Sequence, residues 1–439
     1  MSIGTFNILN SRIWAIALLL MAGFTQLHGQ DGKTQMPIDL NTVMKLAGAN
    51  NLAVAEMDAK RELAVARAKT AKEWFLPTIS PGVLLIGYEG NAQSTDGTFI
   101  NVNKNSFWGG AAITADWNLG DAVFSYLEAK QDIKTAEHAS TVESNRIQLE
   151  AVKTYYELGA AQSKLTALNK IVKKAADITR QIEIQAEAGI RYKSDVLLAK
   201  ANLNHVKIEQ SNARWEILTR SNELLNILNI QDNVVLIVSD SVLVPIALVD
   251  TSIADVEKAY ALRPETMMFQ SKMDALAIGR KSYTTGLILP DINLGFNDGV
   301  LGPYFNPLVN QYSYYIGARW NIPLGVLFFG GNKKQYDARI KMEQIHLDQA
   351  KNTIRQEVQD AEGGVAIATE QMKLATEALG FATTALEQSM ERQKLGTALP
   401  LEVFQAQEQL LQSEIDNIRA ITNYNKAQYS LYIAMGNKQ

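Results

Sequence analysis

Apolar and small side chains recur with a seven-residue spacing through much of this chain, and this spacing dictates very long helices. Such residues follow one another at alternating steps of three and four over 158–189, and the same spacing resumes over 196–217. The second half of the chain repeats it over 365–386 and 403–413. A seven-residue repeat sustained over this length is typical of helices that pack as coiled coils. An ordinary helical bundle has the same periodicity, so periodicity alone leaves both arrangements open.

The predicted helices come in pairs. A helix over 121–188 is followed by a return helix over 194–228, and a helix over 332–395 is followed by one over 400–436. At about 1.5 Å per residue, the first of these helices measures roughly 100 Å. A further helical stretch over 252–284 continues the return. The chain is therefore predicted to form an elongated rod or tube.

The chain is also internally duplicated. A shift of 213 residues aligns Pro77 with Pro290, and a shift of 207 residues aligns 133–229 with 340–436 without a gap. Repeats that return in the same order indicate two copies of one structural unit. We therefore predict four parts, which are a signal peptide at 1–29, a first repeat at 30–230, an equatorial linker at 231–250 and a second repeat at 251–436.

The first thirty residues differ from the rest of the chain. Arg12 is the only charged residue before Asp31, and an apolar run over 13–24 precedes the small residue Gly29. A basic residue, a short apolar core and a small residue at the end are typical of a secretory signal peptide. The apolar core is too short to span a bilayer, which takes ~20 residues. An uncleaved membrane anchor is the alternative.

Four stretches alternate apolar and polar residues with the two-residue period of a β-strand. The predicted strands cover 79–93 and 105–119 in the first repeat, and 287–298 and 311–323 in the second. Each has about the length that a tilted strand needs to cross the hydrocarbon layer of a membrane. A half-buried sheet in a soluble protein alternates equally well, so alternation by itself does not decide between the two.

Aromatic residues cluster at both ends of the predicted strands. Those at the helix-proximal ends are Trp74, Trp117 and Trp320, and those at the opposite ends are Phe107, Trp108, Tyr304 and Phe305. Aromatic side chains concentrate at the two interfaces of a membrane, so two aromatic belts are predicted. The sequence after residue 30 has no apolar run of 18 residues, so a membrane location requires a closed β-barrel. Four strands cannot close a barrel around a pore, so copies of the chain must share one with cyclic symmetry.

Composition and motifs exclude several functions. The chain has no cysteine, and its 42 basic and 46 acidic residues give it no reason to bind nucleic acid. The segment GVLFFGGNKK at 325–334 lacks the Lys-Ser/Thr of a phosphate-binding loop. The four histidines are scattered, and none has the spacing of a metal site. We therefore predict no cofactor, no metal and no enzymatic activity.

Three features together resemble the TolC-like outer-membrane efflux family, the outer membrane factors of tripartite exporters. They are the duplicated strand–strand–long-helix pattern, the Leu-Pro pairs at 76–77 and 289–290, and the tip sequences GIRYKSDVLLA (189–199) and LGTALPLEVFQA (395–406). The resemblance covers about residues 38–436. It implies a fold that is mainly α with membrane β, a trimeric channel-tunnel. Three protomers would share a twelve-stranded barrel and a long helical tunnel in the periplasm.

The resemblance also implies a function and partners. The protein would be an outer-membrane exit duct in contact with lipid, which conducts small molecules or peptides passively through a gate. It would work as a homotrimer with a periplasmic adaptor protein and an inner-membrane pump. Two alternatives remain. A periplasmic coiled-coil adaptor predicts one helical hairpin and no strands of membrane length, and an exported structural coiled coil leaves the aromatic belts unexplained.

The resemblance assigns the gate to the two helix-turn tips. The residues concerned are Gly189, Ser194, Asp195, Gly396, Thr397, Glu402 and Gln405. Glu402 matches an acid that rings the tunnel entrance in the family, whereas Gln405 stands where a second acid can occur. Three copies of Glu402 would favour cations. The alternative is that Asp195 and Glu402 only cap or charge the first turns of their helices.

The residues that close the entrance differ from the family pattern. Ser194 and Asp195 match residues that tie the entrance shut through partners on the neighbouring helix. Gln393 stands where one of these partners can be aromatic, and Ala398 where another can be arginine. Arg191 and Arg392 lie nearby as candidate substitutes. Gly189 and Gly396 are predicted to end their helices in the left-handed conformation.

Overall fold

The computed structural model describes residues 34–239, 244–249 and 255–437. The predicted signal peptide at 1–29 lies outside the described residues. The first half contains β1 (Thr34–Ile38), α1 (Leu40–Asn50), α2 (Leu52–Lys72), β2 (Thr78–Gln93), β3 (Phe99–Asn118), α3 (Leu119–Glu187), α4 (Lys193–Ile227) and β4 (Val234–Val238). The second half contains α5 (Val256–Leu262), α6 (Pro264–Gly279), β5 (Asp291–Gly302), β6 (Val309–Arg319), α7 (Leu324–Phe329), α8 (Gly331–Lys394) and α9 (Pro400–Ala434). None of the described helices has a stretch apolar enough and long enough to cross a membrane.

The helices form a layer that is one helix thick. The long helices α3 and α8 have 69 and 64 residues and are each ~100 Å long. Near the tips the order across the layer is α4, α3, α9, α8, and towards the strands it is α2, α3, α6, α8. Two shorter helices therefore lie end to end on each side of α3, with α4 and α2 on one side and α9 and α6 on the other. The prediction that the stretch over 252–284 continues the return of α4 is wrong, because α6 packs between α3 and α8 and continues the line of α9, where Arg263 donates to the Ile433 carbonyl at 3.4 Å.

Small side chains line the seam between α3 and α4. Ala161 and Ala175 of α3, and Ala199 and Ala213 of α4, are at most 2% exposed. Their size lets the helix axes approach closely, and larger apolar side chains fill the space between them. Those that are at most 1% exposed on α3 include Leu158, Leu168, Ile171, Ile178 and Ile182. Burial of each such side chain contributes ~1.5–3 kcal/mol.

The helix predicted over 252–284 is interrupted. Its first residues, 252–254, lie outside the described residues, and α5 begins at Val256 with Asp255 as its N-cap. Arg263 breaks the helix because it precedes Pro264, which disfavours the helical conformation in the residue before it. Helix α6 then gives way to short 3₁₀ turns that run to Ile288.

The four long strands form one antiparallel sheet in the order β2, β3, β5, β6. Strand β3 begins at Phe99, six residues before the predicted start at 105, because its hairpin with β2 continues to the Gln93–Phe99 pair. Strand β6 ends at Arg319 rather than at 323, since Pro323 has no N–H to donate to a ladder. Strand β5 starts at Asp291 rather than at 287, because a 3₁₀ turn occupies Thr285–Ile288. In this order β2 and β6 form the two edges of the sheet.

A small parallel sheet of β1 and β4 crosses the layer at its middle. Strand β4 lies within the segment predicted as a linker. Gln162 of α3 hydrogen-bonds the backbone of this strand, and Ser221 of α4 accepts a bond from the Leu236 amide at 2.8 Å. Gln428 of α9, which is 207 residues after Ser221, accepts bonds from the amides of Leu248 and Val249 at 3.1 and 3.0 Å. Ser221 and Gln428 occupy equivalent positions in the two repeats, and each bonds the backbone of the segment that crosses the layer beside it.

Candidate functional site

Two turns of the same geometry lie at the end of the helical layer that is far from the strands. After α3 the amides of Ile190 and Arg191 bond the Gln185 carbonyl, at 2.9 and 3.3 Å. After α8 the amides of Thr397 and Ala398 bond the Arg392 carbonyl, at 2.9 and 3.2 Å. Both turns need a left-handed residue, and glycine supplies it because it has no Cβ: φ is 76° at Gly189 and 74° at Gly396.

Glu402 is held at the start of α9. Its Oε1 accepts a hydrogen bond from the Leu399 amide at 3.3 Å, and its Oε2 lies 3.4 Å from Nη1 of Arg392. Pro400 occupies the first turn, where its missing N–H costs no helical bond. Glu402 therefore caps its helix and pairs with a cation of the same hairpin. Its side chain remains 40% exposed, so its carboxylate still faces solvent.

Ser194 and Asp195 make no side-chain hydrogen bond to a neighbouring helix among the residues that the structure describes. Asp195 lies in the first turn of α4, where its charge suits the helix dipole. The link between the two tips comes from Arg191, whose Nη2 donates to the Ala398 carbonyl at 2.8 Å. A side chain of the first tip thus binds the backbone of the second, and needs no particular side chain there.

Two buried amide side chains also join the hairpins. Gln393 is 1% exposed, and its Nε2 lies 3.4 Å from Oε1 of Gln185 on α3. Gln407 is 2% exposed, accepts a bond from Asn202 at 3.3 Å and donates to the Ile171 carbonyl at 3.3 Å. Sequence reasoning did not assign Gln185, Asn202 or Gln407 to the site. Gln407 follows Val403 by four residues and precedes Leu410 by three, and a polar residue within such an apolar stripe was the available signal.

The two remaining predicted tip residues lie at the surface. Thr397 is exposed, and its hydroxyl donates to the Arg392 carbonyl at 3.0 Å, which adds to the backbone bonds of the turn. Gln405 is exposed on α9, about one turn after Glu402. Neither residue bonds the opposite hairpin among the described residues.

The aromatic residues of the strands occupy both ends of the sheet. Trp74 and Trp117 pack edge to face with ring centroids 6.4 Å apart, and Trp320 is 59% exposed. At the other end, Phe107 and Phe305 pack against each other with their rings tilted by 54° and their centroids 4.7 Å apart. Tyr304 accepts a hydrogen bond from Asn105 at the same end. Trp108 is adjacent to Phe107 on β3 and therefore lies on the opposite face of the sheet.

Two polar groups tie the helices together away from the tips. Glu157 of α3 accepts from Lys426 of α9 at 2.6 Å and from Arg220 of α4 at 3.0 Å. Glu128 of α3 accepts a bond from the Tyr336 hydroxyl of α8 at 3.1 Å. Burial raises the pKa of Glu128, and burial together with this carboxylate raises the pKa of Tyr336 to about 12. These contacts fix the relative level of helices that are distant in sequence.

The chain belongs to the outer membrane efflux protein family. The family model matches residues 43–229 and 287–437, which include both long helical hairpins and all four long strands. This membership confirms the resemblance found in the sequence. The protein is accordingly a member of an outer-membrane family, with its helical portion on the periplasmic side.

Among curated proteins the chain is 25% identical to the outer membrane protein TolC of Escherichia coli K12 over 221 residues. That match covers 47% of this chain and 42% of TolC, so it spans less than half of the relative's length.

Among solved structures, the CmeC outer membrane channel of Campylobacter jejuni superposes with a TM-score of 0.75 at 16% identity, and the match covers 90% of this chain and 85% of that one. A membrane protein from Pseudomonas aeruginosa gives a TM-score of 0.77 at 17% identity, over 95% of this chain and 100% of that one. These likenesses confirm the predicted fold, mainly α with a set of membrane strands.

Proposed function

We propose that the protein is the exit duct of a tripartite efflux or secretion system, and that it conducts small molecules or peptides passively from the periplasm to the exterior. The observation that carries this proposal is a wall with two open edges. One layer of four strands continues into one layer of helices, and neither layer closes on itself. Such a wall encloses a passage only when further copies complete it.

The open edges of the sheet favour a homotrimer. β2 and β6 are the outer strands, and unpaired N–H and C=O groups within a membrane are costly. Pairing β6 of one copy with β2 of the next satisfies both edges. Three copies with cyclic symmetry then give twelve strands, more than the roughly eight at which side chains still fill the interior of a barrel.

The helical edges carry complementary apolar stripes. On α8, Ile367, Leu374 and Phe381 follow one another at seven-residue spacing and are 59%, 57% and 75% exposed. On α4, Ile208 and Trp215 are also seven residues apart and are 59% and 69% exposed. Both stripes lie at matching distances from the tips, so α8 of one copy fits against α4 of the next as a coiled coil. This pairing closes the tunnel at the level of the return helices.

The tips are the proposed gate. Arg191 and the Gln185–Gln393 pair hold the two hairpins of one copy together. They supply the contacts between hairpins that were expected from Ser194 and Asp195. Three copies of Glu402 form a ring of carboxylates at the aperture, and Arg392 offsets part of each charge. The ring favours cations because carboxylates attract them where the passage is narrow.

A periplasmic adaptor and an inner-membrane pump are the proposed partners, since a passive duct has no energy source of its own. Two hairpins and four strands of membrane length speak against a periplasmic adaptor. Aromatic rings at both ends of the sheet speak against a purely structural coiled coil. Nothing in the wall selects one pump class or one substrate.

Conductance across a planar bilayer tests the proposal. The purified protein should form pores that prefer cations, as the reversal potential in a salt gradient measures. Glu402→Ala should reduce this preference, and Arg392→Ala should increase it because it unmasks the carboxylate. Gln405→Ala, which removes an uncharged side chain about one turn away, is the matched control and should change neither. Absence of any pore would reject the duct, whereas an unchanged preference in both charge variants would reject only the role of Glu402.

A further inference from the structure

The two faces of the membrane sheet differ in polarity. One row of paired residues, which runs across all four strands, is Ile79, Ile113, Phe296 and Tyr314. The adjacent row on the other face is Ser80, Ala112, Asn297 and Ser313. In a membrane strand the apolar face contacts lipid and the polar face lines the interior. The sides of the sheet are therefore identified, with Ile113 outward and Asn297 inward.

This polarity inverts in the outer part of the β2–β3 hairpin. The residues that continue the inward face are Ile86, Tyr88, Gly90, Ala92, Ile100, Val102, Lys104 and Ser106, and five of these eight have apolar or aromatic side chains. The residues that continue the outward face are Gly87, Glu89, Asn91, Gln93, Asn101, Asn103 and Asn105, with Phe99 at the turn as the exception. Ile86, Tyr88 and Ile100 are 51%, 50% and 50% exposed, so the chain itself leaves this surface uncovered.

The hairpin projects well beyond the rest of the sheet. Strand β3 pairs with β5 only from Phe107 onward, and β6 begins at Val309. The rungs from Ile86–Ser106 to Gln93–Phe99 therefore have no strand partner outside the hairpin, over ~26 Å at about 3.3 Å per residue, and Tyr304 contacts them only at Asn105 near the base. Strand β6 begins at the level of the Leu84–Trp108 pair, so within the chain it offers this part of the hairpin no partner. A two-stranded hairpin with one apolar face is only marginally stable by itself in water.

We propose that the three hairpins of the trimer lean over the outer mouth and pack against one another through these inward faces, which forms a lid on the duct. The inference rests on the proposed trimer, whose axis directs the inward faces of all copies towards one another. Twelve strands ~4.8 Å apart with a tilt of ~40° give a barrel radius of ~12 Å. The projecting hairpin is about twice that length, so its outer end reaches the axis.

Two features of the hairpin allow this inclination. Gly90 has a φ of 134° within β2, a conformation that a residue with a side chain rarely adopts, and it lets the outer end of a hairpin that inclines from its base bend further inward. Lys104 pairs with Tyr88 below that bend. The three ammonium groups therefore stay apart near the base, while Ile100 and Val102 meet near the end.

The absence of cysteine in the chain makes a direct test possible. A single Ile100→Cys substitution puts a thiol on the inward face, and Asn101→Cys puts one on the outward face of the same strand as the matched control. Mild oxidation of the assembled trimer should cross-link most Ile100→Cys protein into disulfide-bonded dimers and leave Asn101→Cys largely uncrosslinked. Conductance of the Ile100→Cys pore should fall at least two-fold on oxidation and recover on reduction.

The outcomes separate the lid from the duct. Trimers that conduct but show no cross-link at Ile100→Cys, or show equal cross-linking at both positions, would overturn the lid and leave the duct intact. Cross-linking at Asn101→Cys alone would mean that the outward faces meet, which also contradicts the lid. If the unoxidised variants and the unmodified chain form neither trimers nor pores, the duct itself fails and the lid fails with it.

Discussion

The hydrogen bond from Arg191 to the Ala398 carbonyl offers a quantitative test of the gate. Replacing Arg191 with Ala removes a charge-assisted bond of 2.8 Å between the two tips. Such a bond contributes ~1.5–3 kcal/mol, and the lower value applies because the contact is only partly buried. A loss of ~1.4 kcal/mol changes an equilibrium about tenfold. The bond biases the closed state only if opening breaks it, because a contact kept in both states shifts no population.

The expected result is a tip that opens more readily. If the three copies open independently, the closed-to-open equilibrium of each shifts about tenfold, and if they open together the shifts multiply to roughly a thousandfold. Single-channel recording measures this as a rise in open probability. Lys193→Ala, which removes an exposed charge from the same turn, is the matched control and should behave as the unmodified protein does. Arg191→Ala trimers with an unchanged open probability would refute the tether.

Three further changes test other parts of the structure. Phe381→Ser removes a side chain that is 75% exposed in the single chain and that we place between copies. The trimer of this variant should therefore dissociate at a lower temperature on a semi-native gel. An unchanged dissociation temperature would contradict the contact between α8 of one copy and α4 of the next. A Cβ on Gly120 would overlap the Gly286 carbonyl, so Gly120→Ala should cost ~1–3 kcal/mol and lower the melting temperature by circular dichroism, whereas Gly325→Ala, with open space around it, should not. Because burial raises the pKa of Glu128, its contribution to stability is full below the ordinary value of 4.5 and is lost as the pH rises through the raised value. Glu128→Gln should therefore have a higher melting temperature than the unmodified protein near neutral pH and the same melting temperature at pH ~4. Melting temperatures that change in parallel with pH in the two proteins would argue against a raised pKa at Glu128.

The boundaries of the strands show how much of the sheet the local sequence pattern predicts. Alternation of apolar and polar residues predicts a strand from residue 105, yet β3 begins at Phe99. The missing part lies where the apolar residues change faces, so a search for one continuous apolar face stops too early. The pairing partner in β2, and not the pattern within β3, keeps this segment extended.

The tips likewise combine features that the sequence predicts with features that it does not. Gly189 and Gly396 could be placed because a helix end that needs positive φ selects glycine from local geometry alone. The bond that joins the tips could not be assigned, since its acceptor is a backbone carbonyl that every residue has. Glu402 was correctly seen as a first-turn acid, but its pairing with Arg392 depends on how the turn folds back.

The sequence by itself determined the long paired helices, the duplication and the strands with their aromatic ends, because these depend on neighbours three, four, seven or two residues apart. The tertiary structure decided which groups meet across helices, such as Arg191 with Ala398 and Ser221 with Leu236. It also decided that both layers end in open edges. These features depend on the rotation and relative level of whole helices and strands, which the packing of the complete layer fixes and no local stretch encodes.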